Sequence, residues 1–474
     1  MNILRGTFFC AAILAGLSGG AAADLPTAKP PAAAPLGPTS CTDPIQFVTT
    51  DCALSWYGVT LYGTVDMGVG WESHGVPLNR HIISGVEELV QKNSNHAQWL
   101  LTPGGLSQSF IGVKGKEEFA PGWAFVFDLS MGFDPYTLSV ANGPRSYLDN
   151  NGVPLALQSA NADSSRAGQF YNGVGYAGIS SPYGTLTAGR VNTLTLDGVV
   201  AYDPMGASYA FSVIGWSGLT AGVGDTEDAR ATTAIKYRVD LGQFRASALY
   251  QFGGYDLNNG SQGAYQFGFG GDFGGGAYGK LSLDAIYANE QGAVSSSLLT
   301  AAQNLKYPGT LAATISDDSG VMLLAKYAYR QVRVYSGFEY IKFQNPSRPQ
   351  LASFTDIAGI PVVAADINNN AYANHRIQDV MWIGARYAFT DAFDVGVAYY
   401  HYIQHNYALK YCDNASSATC AGSLDAVSFN ADWQFAKKFD AYAGVMFSEA
   451  HNGLASGYLH TSNLAPTAGV RFRF

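Results

Sequence analysis

Charge is scarce in this chain. Only 13% of its 474 residues are Asp, Glu, Lys or Arg, where a soluble globular protein carries about 25%. Base is scarcer than acid, 27 Lys and Arg against 36 Asp and Glu, for a net charge of −9; this balance excludes a nucleic-acid binder. Cysteine is scarce too: there are five, and none stands in the tight C-x2-C spacing of a zinc site. Beyond residue 23 no apolar run reaches the ~18 residues of a membrane-spanning helix. No G-x-S-x-G elbow marks a serine hydrolase. His401 and His405 are four apart, the spacing of a metal pair on a helix. They lie on a predicted strand, which separates them by about 13 Å, so neither a metal nor a cofactor is expected.

Glycine and aromatics are what the chain has instead: 55 Gly, 29 Tyr and 26 Phe, at a mean hydropathy of +0.02. This composition fits a surface that meets lipid without being a bundle of apolar helices. The N-terminus reads as an address. Arg5 precedes an apolar stretch over 7–17, and small residues lead to an A-x-A-type cut after Ala23. Residues 1–23 are expected to be a signal peptide and the mature chain to be exported. Residues 24–55 begin as a Pro/Ala-rich linker without periodicity. Cys10 leaves with the signal, and the other four cysteines form two close pairs, Cys41/Cys52 and Cys412/Cys420, each predicted to be a local disulfide.

From Trp56 onward the pattern has period two. In 59–69 the odd positions are apolar or small and the even ones hold Thr60, Tyr62, Thr64 and Asp66, the mark of a strand with one greasy and one polar face. The pattern recurs at 108–118, 122–133, 168–180, 184–191, 229–239, 242–253, 263–273, 277–290, 319–330, 332–343, 377–389, 393–407, 424–436, 439–450 and 464–474, about sixteen strands with 56–71. Each is near the ~9–11 residues that cross a bilayer at a tilt. Connections alternate between short turns, such as Ala120-Pro121-Gly122 and Thr390-Asp391-Ala392, and long loops, such as 72–107, 134–167 and 192–228. That alternation is the signature of an outer-membrane barrel, with the short turns periplasmic. Closure is what lets strands span lipid, because an open edge would leave backbone groups unpaired. The predicted fold is therefore an all-β transmembrane antiparallel barrel over 56–474.

The residues resemble the trimeric general porins of Gram-negative outer membranes. The resemblance rests on Val59-Thr60-Leu61-Tyr62-Gly63 with Asp66, on Ile111-Gly112-Val113-Lys114-Gly115-Lys116-Glu117-Glu118 with Pro121-Gly122, on Tyr176-Ala177-Gly178-Ile179 leading through Tyr183-Gly184 to Leu186-Thr187-Ala188-Gly189-Arg190, and on the terminal Phe474. It covers 56–474. Two features depart from it: the N-terminal linker with its cysteine pair, and Lys114 where the family often has Arg. The resemblance implies a sixteen-stranded barrel whose long third loop, here 192–228, folds into the lumen. It implies passive diffusion of small hydrophilic solutes and ions through a homotrimer in the outer membrane. It also implies contact with outer-membrane lipid and lipopolysaccharide, and Phe474 as the signal read by the outer-membrane assembly machinery. Glu87 and Glu88 in the first loop are expected to latch a neighbouring copy. The alternatives are a substrate-selective channel, or a barrel acting as adhesin or enzyme.

A lumen sorts solutes by size and sign, so the inward charges are the candidate site. Strand parity turns Lys114, Arg230, Lys236, Arg238 and Arg245 inward, along with Lys116, Lys326, Arg330, Arg333, Arg386, Arg471 and Arg473. Asp197 and Asp203 lie on the 192–228 loop. A basic wall facing an acidic loop would set a transverse field. Arg190 is the exception: strict parity from Leu186 and Ala188 turns it outward unless the strand ends or bulges before it.

Overall fold

The computed structural model describes residues 40–74, 96–102, 104–133, 135–136, 138, 173–214, 230–252, 263–291, 317–344, 356–357, 360–361, 375–406, 412, 420–455 and 460–474. The expected signal peptide, the linker up to residue 39, and Glu87 with Glu88 lie outside the described residues.

Sixteen strands form the wall: β1 Val59–Glu72, β2 Phe110–Ala120, β3 Trp123–Gly132, β4 Gly175–Ser181, β5 Gly184–Asn192, β6 Arg230–Leu241, β7 Phe244–Gln251 and β8 Gly263–Gly274; then β9 Lys280–Gln291, β10 Asp317–Tyr329, β11 Val332–Gln344, β12 Arg376–Thr390, β13 Phe393–Gln404, β14 Gly422–Ala436, β15 Phe439–Asn452 and β16 Ser462–Arg473. Each pairs antiparallel with the next, and β16 pairs back onto β1 from Thr64↔Arg473 to Gly70↔Thr467. Phe474 completes the seam, exchanging both backbone hydrogen bonds with Gly63 at 2.9 and 3.0 Å. The barrel is closed. Every strand that the alternating pattern predicts is present. The hydrogen-bonded sheet counts eighteen strands because two short pieces extend it. Leu54–Trp56 lies beside the start of β1, and Gln98–Thr102 lies beside its end.

Parity sorts the two faces. On β9, Leu283 and Tyr287 are exposed while Ser282 and Ile286 are buried; on β13, Val397 and Tyr399 are exposed while Tyr400 and Tyr402 are fully buried. The outer face carries the aromatic and aliphatic side chains, as lipid requires.

Where the sequence predicts one strand from Trp56, a turn intervenes. Tyr57 (φ 47°) and Gly58 (φ 80°) adopt left-handed backbone and fold Leu54–Trp56 back along β1. The segment before it, expected as a linker with a stapled turn, folds against the barrel. Helix α1 (Pro44–Thr49) starts at Asp43, whose side chain accepts from the Gln46 N–H at 2.8 Å. Disulfides join Cys41 to Cys52 and Cys412 to Cys420. Lys438, in the β14–β15 turn, donates to the Cys52 carbonyl at 2.9 Å and lies 4.3 Å over the Phe47 ring.

The Cys41–Cys52 bond spans 11 residues, and constraining a loop of that size removes about 3 kcal/mol of unfolded-chain entropy. Replacing both cysteines with Ser should therefore expose 40–56 to protease roughly a hundredfold faster while the barrel itself stays folded. Limited proteolysis read by mass spectrometry checks this, and an unchanged cleavage rate would mean that packing alone holds the element.

Candidate pore constriction

The long connection after β5 does not leave the barrel at once. Residues 193–214 are described, and they run along its inner face. Helix α2 (Leu194–Tyr202) begins at Thr193, whose hydroxyl accepts from the Leu196 N–H at 3.2 Å. The Leu194 N–H donates to Gln266 on β8 at 2.6 Å. Asp197 sits in the first turn, where a negative charge suits the helix dipole. Gly198 lets the helix seat on the wall: a Cβ there would come within 2.8 to 3.1 Å of Ile286, Leu324 and Met322 on β9 and β10. The helix ends at Asp203-Pro204, since Pro204 lacks the N–H that would continue it.

Inward side chains of successive strands grip the segment. The Tyr202 hydroxyl donates to Asp284 on β9 at 2.5 Å and accepts from Arg245 on β7 at 2.8 Å. Lys326 on β10 donates to the Ala201 carbonyl at 2.9 Å, and the Trp382 indole on β12 donates to the Tyr202 carbonyl at 3.1 Å. Arg386 on β12 reaches the Pro204 carbonyl at 3.1 Å. Further on, Ala210 donates to the Gly105 carbonyl at 3.0 Å, and Phe211 meets Tyr442 on β15 edge-on. These partners run from β7 round to β15.

Apolar packing accompanies the polar contacts. Val199, Met205, Phe211, Val213 and Ile214 are all buried. They belong to one core with the inward residues Met322, Ile341, Val380, Trp382 and Met446. The inner face of β10–β15 therefore carries an apolar patch among its charged and polar residues, which a reading of the wall by its bases alone misses.

The predicted site residues divide. Asp197 keeps a water-exposed side chain and pairs with Lys236 on β6 at 2.5 Å. Val200, one helical turn on, is 51% exposed. Leu194, Leu196, Val199 and Tyr202 of α2 are buried. Lys114 lies 4.5 Å over the Tyr62 ring, whose hydroxyl donates to Asp128 at 2.5 Å. The ladder places Thr60, Lys114, Asp128, Tyr176 and Gly189 in one row across β1 to β5.

Asp203 differs from the expectation. It is 3% exposed and accepts from the Tyr400 hydroxyl at 2.6 Å and from the N–H groups of Met205 and Ala207 at 3.1 and 2.6 Å. Burial pushes its carboxyl above the usual carboxylate range, against the pull of those donors. It anchors the loop and does not face pore water. Arg190 follows the bulge alternative: the β5–β6 register shifts between Gly189 and Val191, and the buried Arg190 donates to the Gly173 carbonyl at 3.1 Å. Arg230 pairs with Asn192 at the start of β6. Arg238 stands at the far end of that strand from residues 193–214, exposed and 3.4 Å from Asp240. Arg330 is in a turn, with φ 51°.

Most of the inward bases are not free. Arg245 pairs with Asp284 at 2.7 Å and Asp272 at 3.1 Å, and Lys280 with Asp272 at 2.8 Å. Arg386 pairs with Asp394, and Arg471 and Arg473 with Asp440 at 2.9 and 2.8 Å. Counting bases without the acids of the same parity missed this. Asp272, Asp284, Asp394 and Asp440 all have the inward parity of their strands, so the same count would have found them.

A closed sixteen-stranded antiparallel wall with a greasy exterior, an ionic lumen and an inner loop defines an outer-membrane diffusion channel. The model of the Gram-negative porin family matches residues 10–453, and the chain belongs to that family. Its fold is similar to that of an anion-selective porin from Comamonas acidovorans, with a TM-score of 0.56 at 16% identity, covering 88% of this chain and 99% of that one. It is also similar to the trimer form of OmpT, an outer membrane protein of Vibrio cholerae, with a TM-score of 0.53 at 13% identity, covering 88% and 99%. No curated protein matches the chain.

Proposed function

We propose that residues 193–214 cross the lumen and make its narrow point. The water path then runs past Val200 and the Asp197–Lys236 pair, alongside the wall formed by Tyr62, Lys114 and Asp128. The observation that carries this reading is the Asp197–Lys236 pair, which joins the one exposed carboxylate of α2 to the wall. The channel passes small hydrophilic solutes and ions, and the charges at this pair sort them by sign. Catalysis has no part in this reading.

Asp197→Asn leaves the Lys236 charge uncompensated where ions pass. A unit charge about 4 Å away is worth about 1 kcal/mol in water, so the cation-to-anion permeability ratio should fall about fivefold. The reversal potential of a planar bilayer under a salt gradient reads this directly. An unmoved potential in a correctly folded variant would remove the pair from the selectivity filter. Asp203→Asn, by contrast, should not shift selectivity through charge, because that carboxylate is shielded from pore water.

In this reading three copies assemble in the outer membrane among lipid and lipopolysaccharide, as the likeness to a trimer-forming barrel supports. Phe474 serves as the terminal mark for the assembly machinery before it closes the seam. Conductance steps grouped in threes would support the trimer.

A further inference from the structure

The stapled N-terminal element has a face that the channel does not use. Phe47 of α1 meets Phe472 and Phe474 edge-on, with ring centroids 6.0 and 6.3 Å apart. Those two rings share the outward parity of the exposed Leu464 and Val470. The Phe474 ring lies over the outer side of Gly63, where a Cβ would come within 2.6 Å of it. So α1 sits outside the wall, at its periplasmic edge, and not over the pore mouth. Leu54–Trp56 follows the same logic. Ser55 pairs with Thr60, and their hydroxyls are 2.7 Å apart on the inner face. Trp56 pairs with Val59 and therefore shares the outer face.

The free side of this element presents three large apolar residues, Ile45 at 76% exposure, Val48 at 41% and Trp56 at 59%, beside the exposed polar Thr49 and Asp51. Tyr57 stands fully exposed beside them. We propose that this face docks into the headgroup region of the periplasmic leaflet, so that its partner is the phospholipid interface. Continuity argues for lipid over a soluble protein. The face runs on from the exposed Trp433, Phe435 and Val59, which already lie on the membrane side of the wall. Trp and Tyr favour the headgroup level, where an apolar ring and a polar edge are both satisfied. Exposed Lys437 at the same rim supplies a cation for lipid phosphate, even with Asp51 at 3.6 Å. The inference rests on the outer-membrane placement of the barrel and is independent of the constriction.

A photo-crosslinking scan tests it. p-Benzoylphenylalanine is placed singly at Ile45, at Trp56, at Val427 on the outer wall and at Lys116 on the inner face. The proteins are inserted into vesicles of radiophosphate-labelled phospholipid. Each is first shown to migrate as a folded barrel before boiling, so a missing adduct reports on docking. The expected result is labelled adduct at positions 45 and 56 comparable to that at 427 and about tenfold above that at 116. Yields at 45 and 56 equal to the inner-face level overturn the proposal. Crosslinks from 45 and 56 to a second copy of the chain overturn it as well, because the face would then be an interface between copies. If position 427 also failed to label, the outer-membrane placement of the barrel would fall with it.

Discussion

Replacing Asp203 with Ala is expected to release the inner loop and raise the single-channel conductance. The carboxylate has no water to fall back on. It holds the Tyr400 hydroxyl and two backbone N–H groups, all inside the core that packs residues 193–214 to the wall. Removing it strands these buried donors and the Ser212 hydroxyl, each at a cost of about 1–3 kcal/mol. Even about 3 kcal/mol shifts the attached-to-detached ratio roughly a hundredfold. The wall strands do not depend on this residue, so the barrel should still fold. The loop should spend measurable time away from β12 and β13, seen as larger conductance and noisier open current. Asp203→Asn keeps one acceptor oxygen and turns its amide toward a donor, so it should fall between Ala and the parent. A folded Asp203→Ala channel with the parent's conductance and noise would show that 193–214 is not what limits flow.

The second large effect is expected from Tyr442→Ala, which should abolish the heat-resistant folded form. Tyr442 stands where β15, β16 and β1 meet, close to the seam. Its hydroxyl donates to Asp66 at 2.6 Å and accepts from the Gly105 N–H at 3.1 Å. Asp66 is fully buried and also accepts from the N–H groups of Leu106 and Ser107 at 3.0 and 2.8 Å, which draws 104–109 inward from the wall. The ring fills space that Gly105 and Gly469 leave open; a Cβ at either would lie 2.5 or 2.3 Å from the hydroxyl. Truncation opens a cavity worth about 3–5 kcal/mol for an aromatic side chain and takes a donor from a buried carboxylate. Tyr442→Phe keeps the ring and should cost only about 1–3 kcal/mol. Mobility before and after boiling, followed against temperature, separates the two. Equal behaviour of Ala and Phe would assign the effect to the hydroxyl alone.

The wall was legible in the sequence because lipid enforces it. A lipid-facing position tolerates little but apolar side chains, so period two survives along every strand and the turns fall where it breaks. The lumen has no such enforcer. Its charges answer to one another: Arg245 is read correctly as inward, yet its meaning changes once Asp272 and Asp284 are seen on the neighbouring strands. Asp203 and Asp197 look alike in sequence, six residues apart on one loop. Asp197 stands in the first turn of α2 as an exposed charge, while Asp203 caps its C-terminus as a buried anchor. Arg190 shows the limit of parity, because a bulge at Gly189 reverses the count. The staple was legible as a disulfide, but its packing on Phe472 and Phe474 joins the two ends of the chain and leaves no local signal.

The apolar patch on the inner face of β10–β15 reaches beyond the pore. Strands that present grease to lipid on one side and to the loop on the other have no fully polar face before they enter the membrane. The run Phe338-Glu339-Tyr340-Ile341-Lys342-Phe343 shows it: four large apolar or aromatic residues with single charges at Glu339 and Lys342. In transit such a segment has the composition of an aggregating sequence, and those two charges act as its gatekeepers. The anchoring of the loop therefore bears on biogenesis as well, because apolar surface on both sides of these strands stays exposed until loop and bilayer are in place.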